Sequence, residues 1–333
     1  MDFGKISIKE LEKSDLRLKP DNSFNEKILK NTSKVPLIKV GCPVWSVKEW
    51  NGKIYPNNAK TPDLLKLYSQ QFNTIELNVT HYQIPSDETI ERWLEESTDN
   101  FTFCTKFPQV ISHDKLLQNT ESLTDEFCGQ ILKLGHKLGL PFLQLAPYFT
   151  PRQLPILEKY LKFLPDKLKI AVEFRHEDWF KNEKIWQETL AMLNEMGHAT
   201  VITDVVGRRD VVHQSLSVPK AFIRWIGNEH PSDYQRIDEW IQRIKGWLEE
   251  GLQELWLFVH INENINSPEM ATYWIQQLID QCELKIEAPK FQRTRSQHPE
   301  NAVQHPPVID PRNPARLPPT WRRIRRRARF RPA

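Results

Sequence analysis

The sequence predicts an α/β fold, and within that class a (β/α)8 TIM-type barrel. Eight short apolar segments alternate with segments of helical spacing over about 250 residues. Segments such as FLQLA and IAVEF are continuously apolar, which is typical of strands buried on both faces of a parallel sheet. A doubly wound sheet is the alternative. It would usually show about six strands, and neither GxGxxG nor GxxxxGK[ST] occurs in this chain.

The apolar segments define the predicted strands. They are Leu37–Gly41, Thr74–Val79, Phe101–Lys106, Phe142–Ala146, Ile170–Phe174, Ala199–Asp204, Ala221–Trp225 and Leu255–His260. Helix-start signals lie between most of them, as a capping residue followed by proline or by an acidic first turn. These signals are at Thr61, Ser86, Thr150 and Ser267. The helix after the third strand is predicted to stop at Gly139. Only the link from Asp204 to Ala221 is too short and irregular for a full helix.

Composition indicates a soluble globular protein, because 39% of the residues are hydrophobic and 27% are charged. No apolar run approaches the ~18 residues of a membrane helix, and the N-terminus lacks the apolar segment of a signal peptide. The four cysteines are far apart, which argues against a disulfide framework and a structural zinc site. We therefore expect a cytoplasmic protein without membrane contact.

Charge divides the chain into three predicted parts. Residues 291–333 hold eleven of the 46 basic residues, all arginine, and two of the 43 acidic ones, so this segment carries +9 and the rest −6. Such an Arg- and Pro-rich tail cannot bury enough apolar surface to order itself. A basic arm that binds nucleic acid or an anionic surface is one interpretation, and we favour the other, a non-native tail. The parts are an N-terminal extension (1–35), the barrel (36–290) and the tail (291–333).

Catalytic groups of such barrels lie at the C-terminal ends of the strands, and polar residues are dense there. We predict catalytic roles for Glu173, Glu76, His176 and Asp204. We predict substrate binding by Lys106, Arg175, Arg224, Gln144, Tyr82, Trp45, Trp179, Asn78 and His260. The cations favour an anionic ligand, and the aromatic residues suit stacking on a sugar or base.

Alternation along the strands places Glu173 with Arg175 on one face. Glu76 and Asn78 share a face in the same way. If these faces line the barrel interior, both acids lie at its mouth. Buried ions cost several kcal/mol unless they are paired, so a structural network, with Glu76 bound to Lys106 and Glu173 bound to Arg224, is the competing interpretation.

The sequence gives little support for a metal or other cofactor. His81, His176 and His260, with the acids Glu76, Glu173 and Asp204, could form an oxygen-and-nitrogen site, but no HxH or HExxH spacing occurs. A GxSxG nucleophile elbow is also absent from the sequence. We predict no metal ligands, while a divalent metal stays open as an alternative.

Several blocks of residues, taken in order, carry a resemblance to a known family. They are GCPVWSVKEWNGKIYP, FNTIELNVTHYQIP, FTFCTKFPQVISHD, FLQLAPYF, AVEFRHEDWF, ITDVVGRRDVVH and AFIRWIGN. Together they closely resemble the domain-of-unknown-function 72 family, also called YecE-like, from about residue 36 to about residue 280. The resemblance implies a TIM barrel and no particular activity. It also implies recurrent residues at Trp45, Glu76, Tyr82, Lys106, Gln144, Glu173, Arg175, His176, Trp179, Asp204 and Arg224.

Three functions fit these observations. The favoured one is an enzyme of the hydrolase or isomerase type that acts on a small anionic, sugar-like or phosphorylated compound. In it Glu173 or Glu76 is the general base, His176 a proton shuttle, and Lys106, Arg175 and Arg224 hold the anion. The alternatives are a metal-assisted phosphodiesterase or endonuclease, which the acidic body disfavours, and a non-catalytic ligand-binding or scaffold protein. The oligomeric state stays open.

Overall fold

The structure is a computed structural model that describes residue 4, residues 6–30 and residues 34–292. Eight parallel strands form its core, in the spatial order β3-β2-β1-β8-β7-β6-β5-β4. They are β1 (Leu37–Cys42), β2 (Thr74–Leu77), β3 (Thr102–Thr105), β4 (Phe142–Gln144), β5 (Ala171–Glu173), β6 (Ala199–Asp204), β7 (Lys220–Ile226) and β8 (Glu254–His260). The predicted TIM-type barrel is confirmed.

The barrel closes between β3 and β4 through irregular pairing. Two isolated parallel bridges join this seam, Phe103 with Leu138 and Lys106 with Phe142. The backbone N–H of Phe107 also donates to the Phe142 carbonyl at 3.0 Å. The seam therefore fixes the backbone of Lys106 at the C-terminal edge of the barrel.

Within the described residues a helix follows every strand except β6, and two short helices precede β1. They are α1 (Ile8–Leu11), α2 (Ser23–Ile28), α3 (Leu64–Ser69), α4 (Asp87–Glu96), α5 (Glu121–Leu132), α6 (Leu154–Phe163), α7 (Asp178–Lys181), α8 (Glu183–Met196), α9 (Ser232–Glu250) and α10 (Ser267–Cys282). Between β6 and β7 the chain forms only the short 3-10 segment Val206–Val211. The predicted lack of a full helix at this position is confirmed.

The helix ends follow the predicted signals in part. The Ser86 side chain accepts from the backbone N–H of Thr89 at the start of α4, as the sequence indicates. The predicted stop of α5 at Gly139 is wrong, because the helix ends at Leu132. Gly139 instead donates to the Phe103 carbonyl at 2.9 Å, and a Cβ there would lie 2.7 Å from the Cys104 sulfur. Glycine at this position permits the close approach of the chain to β3.

The N-terminal extension packs where the helix after β6 is missing. The Asn25 amide donates to the Gln214 carbonyl and accepts from the Leu216 N–H, both at 2.7 Å. Asp21 receives hydrogen bonds from Arg243 at 2.9 Å and Trp247 at 2.8 Å, two residues of α9. Residues 21–25 therefore tie the link between β6 and β7 to its neighbouring helix.

The lower barrel interior is filled by an apolar plug. Its residues are Cys104, Leu140, Phe142, Ala171, Ala199, Val201, Val218, Phe222, Trp256 and Phe258. Because side chains alternate along a strand, the residues two positions further along these strands also point inward. The plug thus identifies which strand-end residues face the mouth of the barrel.

Two further findings concern the ends and the surface of the chain. No helix among the described residues is long and apolar enough to cross a membrane. The predicted tail from residue 293 onward lies outside the described residues. Phe291 and Gln292 are described, and Phe291 packs against the main apolar core.

Candidate functional site

A layer of polar side chains lies on the apolar plug at the C-terminal end of the barrel. Strands β2 to β8, or the positions directly after them, each contribute one inward-facing residue. This polar layer consists of Glu76, Lys106, Gln144, Glu173, Thr203, Arg224 and His260. All except His260 are buried. The Arg224 guanidinium lies 5.4 Å from the centre of the Phe142 ring, so the layer rests directly on the plug.

Arg224 connects the two carboxylates of the layer. Its Nε and Nη2 donate to Glu76 Oε2 and Oε1, both at 2.8 Å. Its Nη1 donates to Glu173 Oε2 at 3.0 Å and to Oε1 at 3.3 Å. The predicted pair of Glu173 with Arg224 is therefore present. The pair predicted between Glu76 and Lys106 does not form, because the arginine fork occupies both Glu76 oxygens.

Both carboxylates accept further hydrogen bonds from neighbouring side chains. Glu76 Oε1 accepts from Asn78 at 2.8 Å, and its Oε2 lies 2.9 Å from His260 Nε2. Glu173 Oε1 accepts from Arg175 Nε and from the Thr203 hydroxyl, both at 2.8 Å. These bonds stabilise the ionised carboxylates.

The cations determine how these carboxyl groups titrate. Burial alone would raise the pKa of Glu76, but Arg224 and His260 outweigh it and hold the pKa well below its usual range. Burial likewise opposes Arg175 and Arg224 at Glu173, where the cations prevail and lower the pKa to about 2. Both groups are therefore anions at neutral pH.

Lys106 has a different environment. Its side chain is 1% exposed, and its ammonium forms no hydrogen bond or ion pair within the described part of the chain. Burial, followed by the charge of Arg224, lowers the pKa of Lys106 to about 7, although Glu173 and Glu76 act in the opposite direction. At neutral pH this lysine therefore exchanges between the ammonium and the free amine.

Two histidines that we did not predict as site residues border this lysine. The rings of His81 and His113 lie 5.3 Å apart, and His81 Nδ1 donates to the Phe107 carbonyl at 2.7 Å. Burial and then Lys106 lower the pKa of His81 to about 4, and the same two causes lower the pKa of His113. Both imidazoles are neutral at physiological pH. Their positions after β2 and β3 are the sequence signal for them.

Two acceptors near the layer are buried and have no partner in the described structure. They are Gln144 Oε1 and Asn78 Oδ1. The opposite side of the Gln144 amide, Nε2, lies 3.4 Å from His113 Nε2. Buried acceptors of this kind require a donor, so they mark positions at which a bound hydroxyl group would be favourable.

Asp204 does not belong to this cluster, contrary to the prediction. Its neighbour Thr203 faces inward, so Asp204 points outward to α9. There it accepts from Arg236 at 2.8 Å and from the Trp240 indole at 2.6 Å, and it also pairs with Arg209. The carboxylate anchors the helix layer to β6, and alternation along this strand turns it away from the barrel interior.

His176 and Trp179 are likewise not brought to the polar layer. His176 Nδ1 accepts from the backbone N–H of Asp178 at 3.1 Å. Trp179 is fully buried in the outer core, where its indole donates to the Phe149 carbonyl at 2.8 Å. Both residues follow β5 in a loop and short helix, where strand alternation no longer determines direction.

The two remaining predicted aromatic residues lie in loops above the barrel. Tyr82 is 73% exposed, and its ring meets His81 edge to face at 5.3 Å. It is therefore at the rim, next to the site. Trp45 follows β1 and packs partly against the main apolar core. The described contacts do not connect Trp45 to the polar layer.

The described residues contain no group of three or more His, Cys, Asp or Glu placed to hold a metal ion. Around Glu76 and Glu173, arginine donors stand where a cation would bind. A groove of about 760 Å³ opens at the opposite end of the barrel, lined by the start of β1, by residues 69–73 before β2 and by residues 283–287. It lacks a buried charged cluster, so we place the candidate site at the polar layer instead.

Comparison with known proteins agrees with this architecture. A family described as "Protein of unknown function DUF72" matches residues 39–294. The UPF0759 protein YecE of Escherichia coli K12 is 30% identical over 258 residues, which cover 72% of this chain and 92% of that protein. The chain belongs to the DUF72 family. The UPF0759 protein YunF of Bacillus subtilis is 22% identical over 259 residues, which are 74% of this DUF72 chain and 86% of YunF.

A solved structure supports the fold of this DUF72 chain. The crystal structure of a DUF72 family protein from Enterococcus faecalis V583 has a TM-score of 0.60 and 17% sequence identity. The alignment covers 79% of this chain and all of the other. At this identity the similarity shows the barrel and not the chemistry.

Proposed function

We propose that this DUF72 protein is an enzyme of the hydrolase or isomerase type that acts on a small anionic, sugar-like or phosphorylated compound. The substrate binds at the C-terminal mouth of the barrel, on the polar layer. The observation that carries the proposal is Lys106, a buried amine that has no partner among the described residues, in a layer whose carboxylates are already held by arginines.

The charge of the cluster favours an anion. Lys106, Arg175 and Arg224 supply three positive charges when the lysine is protonated, against the two carboxylates Glu76 and Glu173. The excess is one positive charge among buried side chains, where charge-assisted hydrogen bonds to a phosphate or carboxylate are strong. Lys106 in its ammonium form supplies the charge that makes this layer positive, and so it attracts the anionic group.

Proton transfer is better suited to the imidazoles than to the glutamates. Arginines hold Glu76 and Glu173 as anions with a low pKa, and a weak base of this kind is poorly matched to neutral pH. His113 is neutral there and lies beside Gln144, whereas a pKa of about 4 makes His81 a weak base as well. We assign proton transfer to His113 and the fixing of Arg224 to the glutamates.

The experiment is a thermal-shift series on the full chain with inorganic phosphate, pyrophosphate, glycerol 3-phosphate and uncharged glycerol. A ligand at about a hundred times its Kd adds about 2.7 kcal/mol to the free energy of unfolding, which raises Tm by several degrees. We expect a shift with an anion and none with glycerol. Lys106→Met should abolish the shift, and Lys184→Met should keep it, since the Lys184 side chain is 85% exposed.

Two other outcomes would support other functions. A shift with Mg²⁺, Mn²⁺ or Zn²⁺ alone would contradict the proposal and favour a metal-assisted phosphodiesterase. No shift with any compound would favour a structural network. That second candidate has its own support, because Arg224 already joins Glu76 and Glu173 at distances of 2.8 to 3.0 Å.

A further inference from the structure

The position of Lys106 is determined by the strand seam and by alternation. The residue directly follows β3 and forms a parallel bridge with Phe142 of β4. It shares the inward face with Cys104, which belongs to the apolar plug. Its amine therefore ends inside the barrel mouth, above the plug and within the polar layer.

The carboxylates near Lys106 do not require its ammonium group as a further cation. The carboxylate oxygens of Glu76 and Glu173 already accept hydrogen bonds from Arg224. Arg175 adds a further donor to Glu173. A permanently charged ammonium at this position would be desolvated and repelled by the guanidinium groups. Desolvation and a neighbouring cation are the two conditions that activate a lysine as a nucleophile.

The groups beside the amine suit a polar organic substrate. Gln144 Oε1 is a buried acceptor without a partner among the described residues, and it suits a substrate hydroxyl. The Gln144 amide also lies 3.4 Å from the His113 ring, so a base is next to the same position. The site thus combines an amine, a hydroxyl acceptor and a neutral imidazole.

We propose that Lys106 is a nucleophile that forms an imine with the aldehyde or ketone carbonyl of the substrate. This inference deepens the proposed function and rests on it, because the anionic group of the substrate brings the carbonyl to the polar layer. It restricts the substrate class to small anionic carbonyl compounds, of which a sugar phosphate in its open-chain form is an example.

The reaction balances without an added oxidant or reductant. The lone pair of the Lys106 amine attacks the carbonyl carbon, and the carbonyl oxygen takes up a proton to give a carbinolamine. The nitrogen loses a proton, and the protonated hydroxyl group leaves as water. The product is an imine, and a proton on its nitrogen restores the positive charge of the original ammonium. A carbon–hydrogen bond next to this iminium is acidified, and His113 is the neighbouring base.

The test traps this imine in the full-length wild-type protein. The protein is incubated at pH 7 with dihydroxyacetone phosphate and sodium cyanoborohydride, and the modified lysines are identified by peptide mass spectrometry. With its pKa at about 7, about half of Lys106 is free amine, whereas an ordinary lysine of pKa ~10.4 has a free-amine fraction about a thousandfold smaller. We expect Lys106 to be labelled at least about tenfold more than the exposed Lys184.

A matched variant and a matched ligand separate the two proposals. Lys106→Arg keeps the charge but cannot form an imine, so it should keep the thermal shift with glycerol 3-phosphate and lose the adduct. Glycerol 3-phosphate has no carbonyl, so its shift reports anion binding alone. If the wild-type protein keeps this shift but Lys106 is not labelled above Lys184, the imine is overturned and the proposed function stands. If neither the shift nor the label appears, both are overturned.

Discussion

At the scale of single residues, Arg224 determines the character of the site. One guanidinium donates to two buried carboxylates, Glu76 and Glu173, and the Lys106 ammonium has no ion-pair partner among the described residues. Removing the buried Arg224 charge should lower the stability of the fold more than removing a surface ion pair. The two carboxylates that lose their partner would remain buried in a medium of low polarity.

We expect Arg224→Met to lower the free energy of unfolding by about 3–5 kcal/mol, the cost of breaking a buried pair from one side. Urea denaturation at pH 7 measures this loss. The control is Arg17→Met, which removes an ion pair with Asp15 whose arginine is 80% exposed. It should leave the free energy of unfolding nearly unchanged, because solvent screens this exposed pair. Adding Glu76→Gln to Arg224→Met should recover part of the loss. If Arg224→Met and Arg17→Met lowered the free energy of unfolding equally, this would contradict the view that Arg224 stabilises the two buried carboxylates.

The residue scale also shows what the sequence can predict about the site. Alternation within a strand placed Glu173 and Arg175 together correctly, and the strand ends supplied all the charged members of the polar layer. The same rule, applied to β6, would have turned Asp204 outward. His113 lies in the loop after β3, beyond the reach of alternation. Its location depends on how that loop folds back onto β4, which no local pattern determines.

At the scale of elements, the eight strands could be predicted from the sequence because each buried parallel strand is a continuous apolar run. The missing helix after β6 was also readable from the short link. Its replacement by the N-terminal extension was not, since the contacts join residues nearly 200 positions apart. Asn25 makes the central contact, with one amide that both donates to and accepts from the same backbone segment.

We expect Asn25→Ala to destabilise the protein by about 2 kcal/mol or more, because it leaves the buried Gln214 carbonyl and Leu216 N–H without their partner. The change should appear as a lower Tm and as faster hydrogen exchange in residues 212–218. Asn58→Ala is the control, since Asn58 is exposed. Unchanged exchange in residues 212–218 would contradict the view that the extension replaces a helix.

At the scale of the whole molecule, buried neutral histidines couple folding to pH. His198 Nδ1 accepts from the Ile170 N–H at 3.2 Å, and His213 Nδ1 accepts from the Ser215 N–H at 3.2 Å. Protonation of either nitrogen would break its bond. Burial lowers the pKa of both residues from about 6.5 to about 4, with a contribution from Lys169 at His198.

The direction of the pH dependence follows from these values. Between pH 6.5 and pH 4 the unfolded chain binds more protons than the folded protein, so stability rises with pH in this range. The contribution is complete above pH 6.5 and is lost as the pH falls to about 4, up to about 3 kcal/mol for each histidine.

His198→Asn keeps an oxygen for the Ile170 N–H and removes the titration. We expect urea denaturation from pH 4 to 7 to show a shallower slope for this variant by about one proton, whereas His136→Asn, at an exposed position, should match the wild-type slope. An unchanged slope in His198→Asn would show that the acid sensitivity arises elsewhere in the molecule.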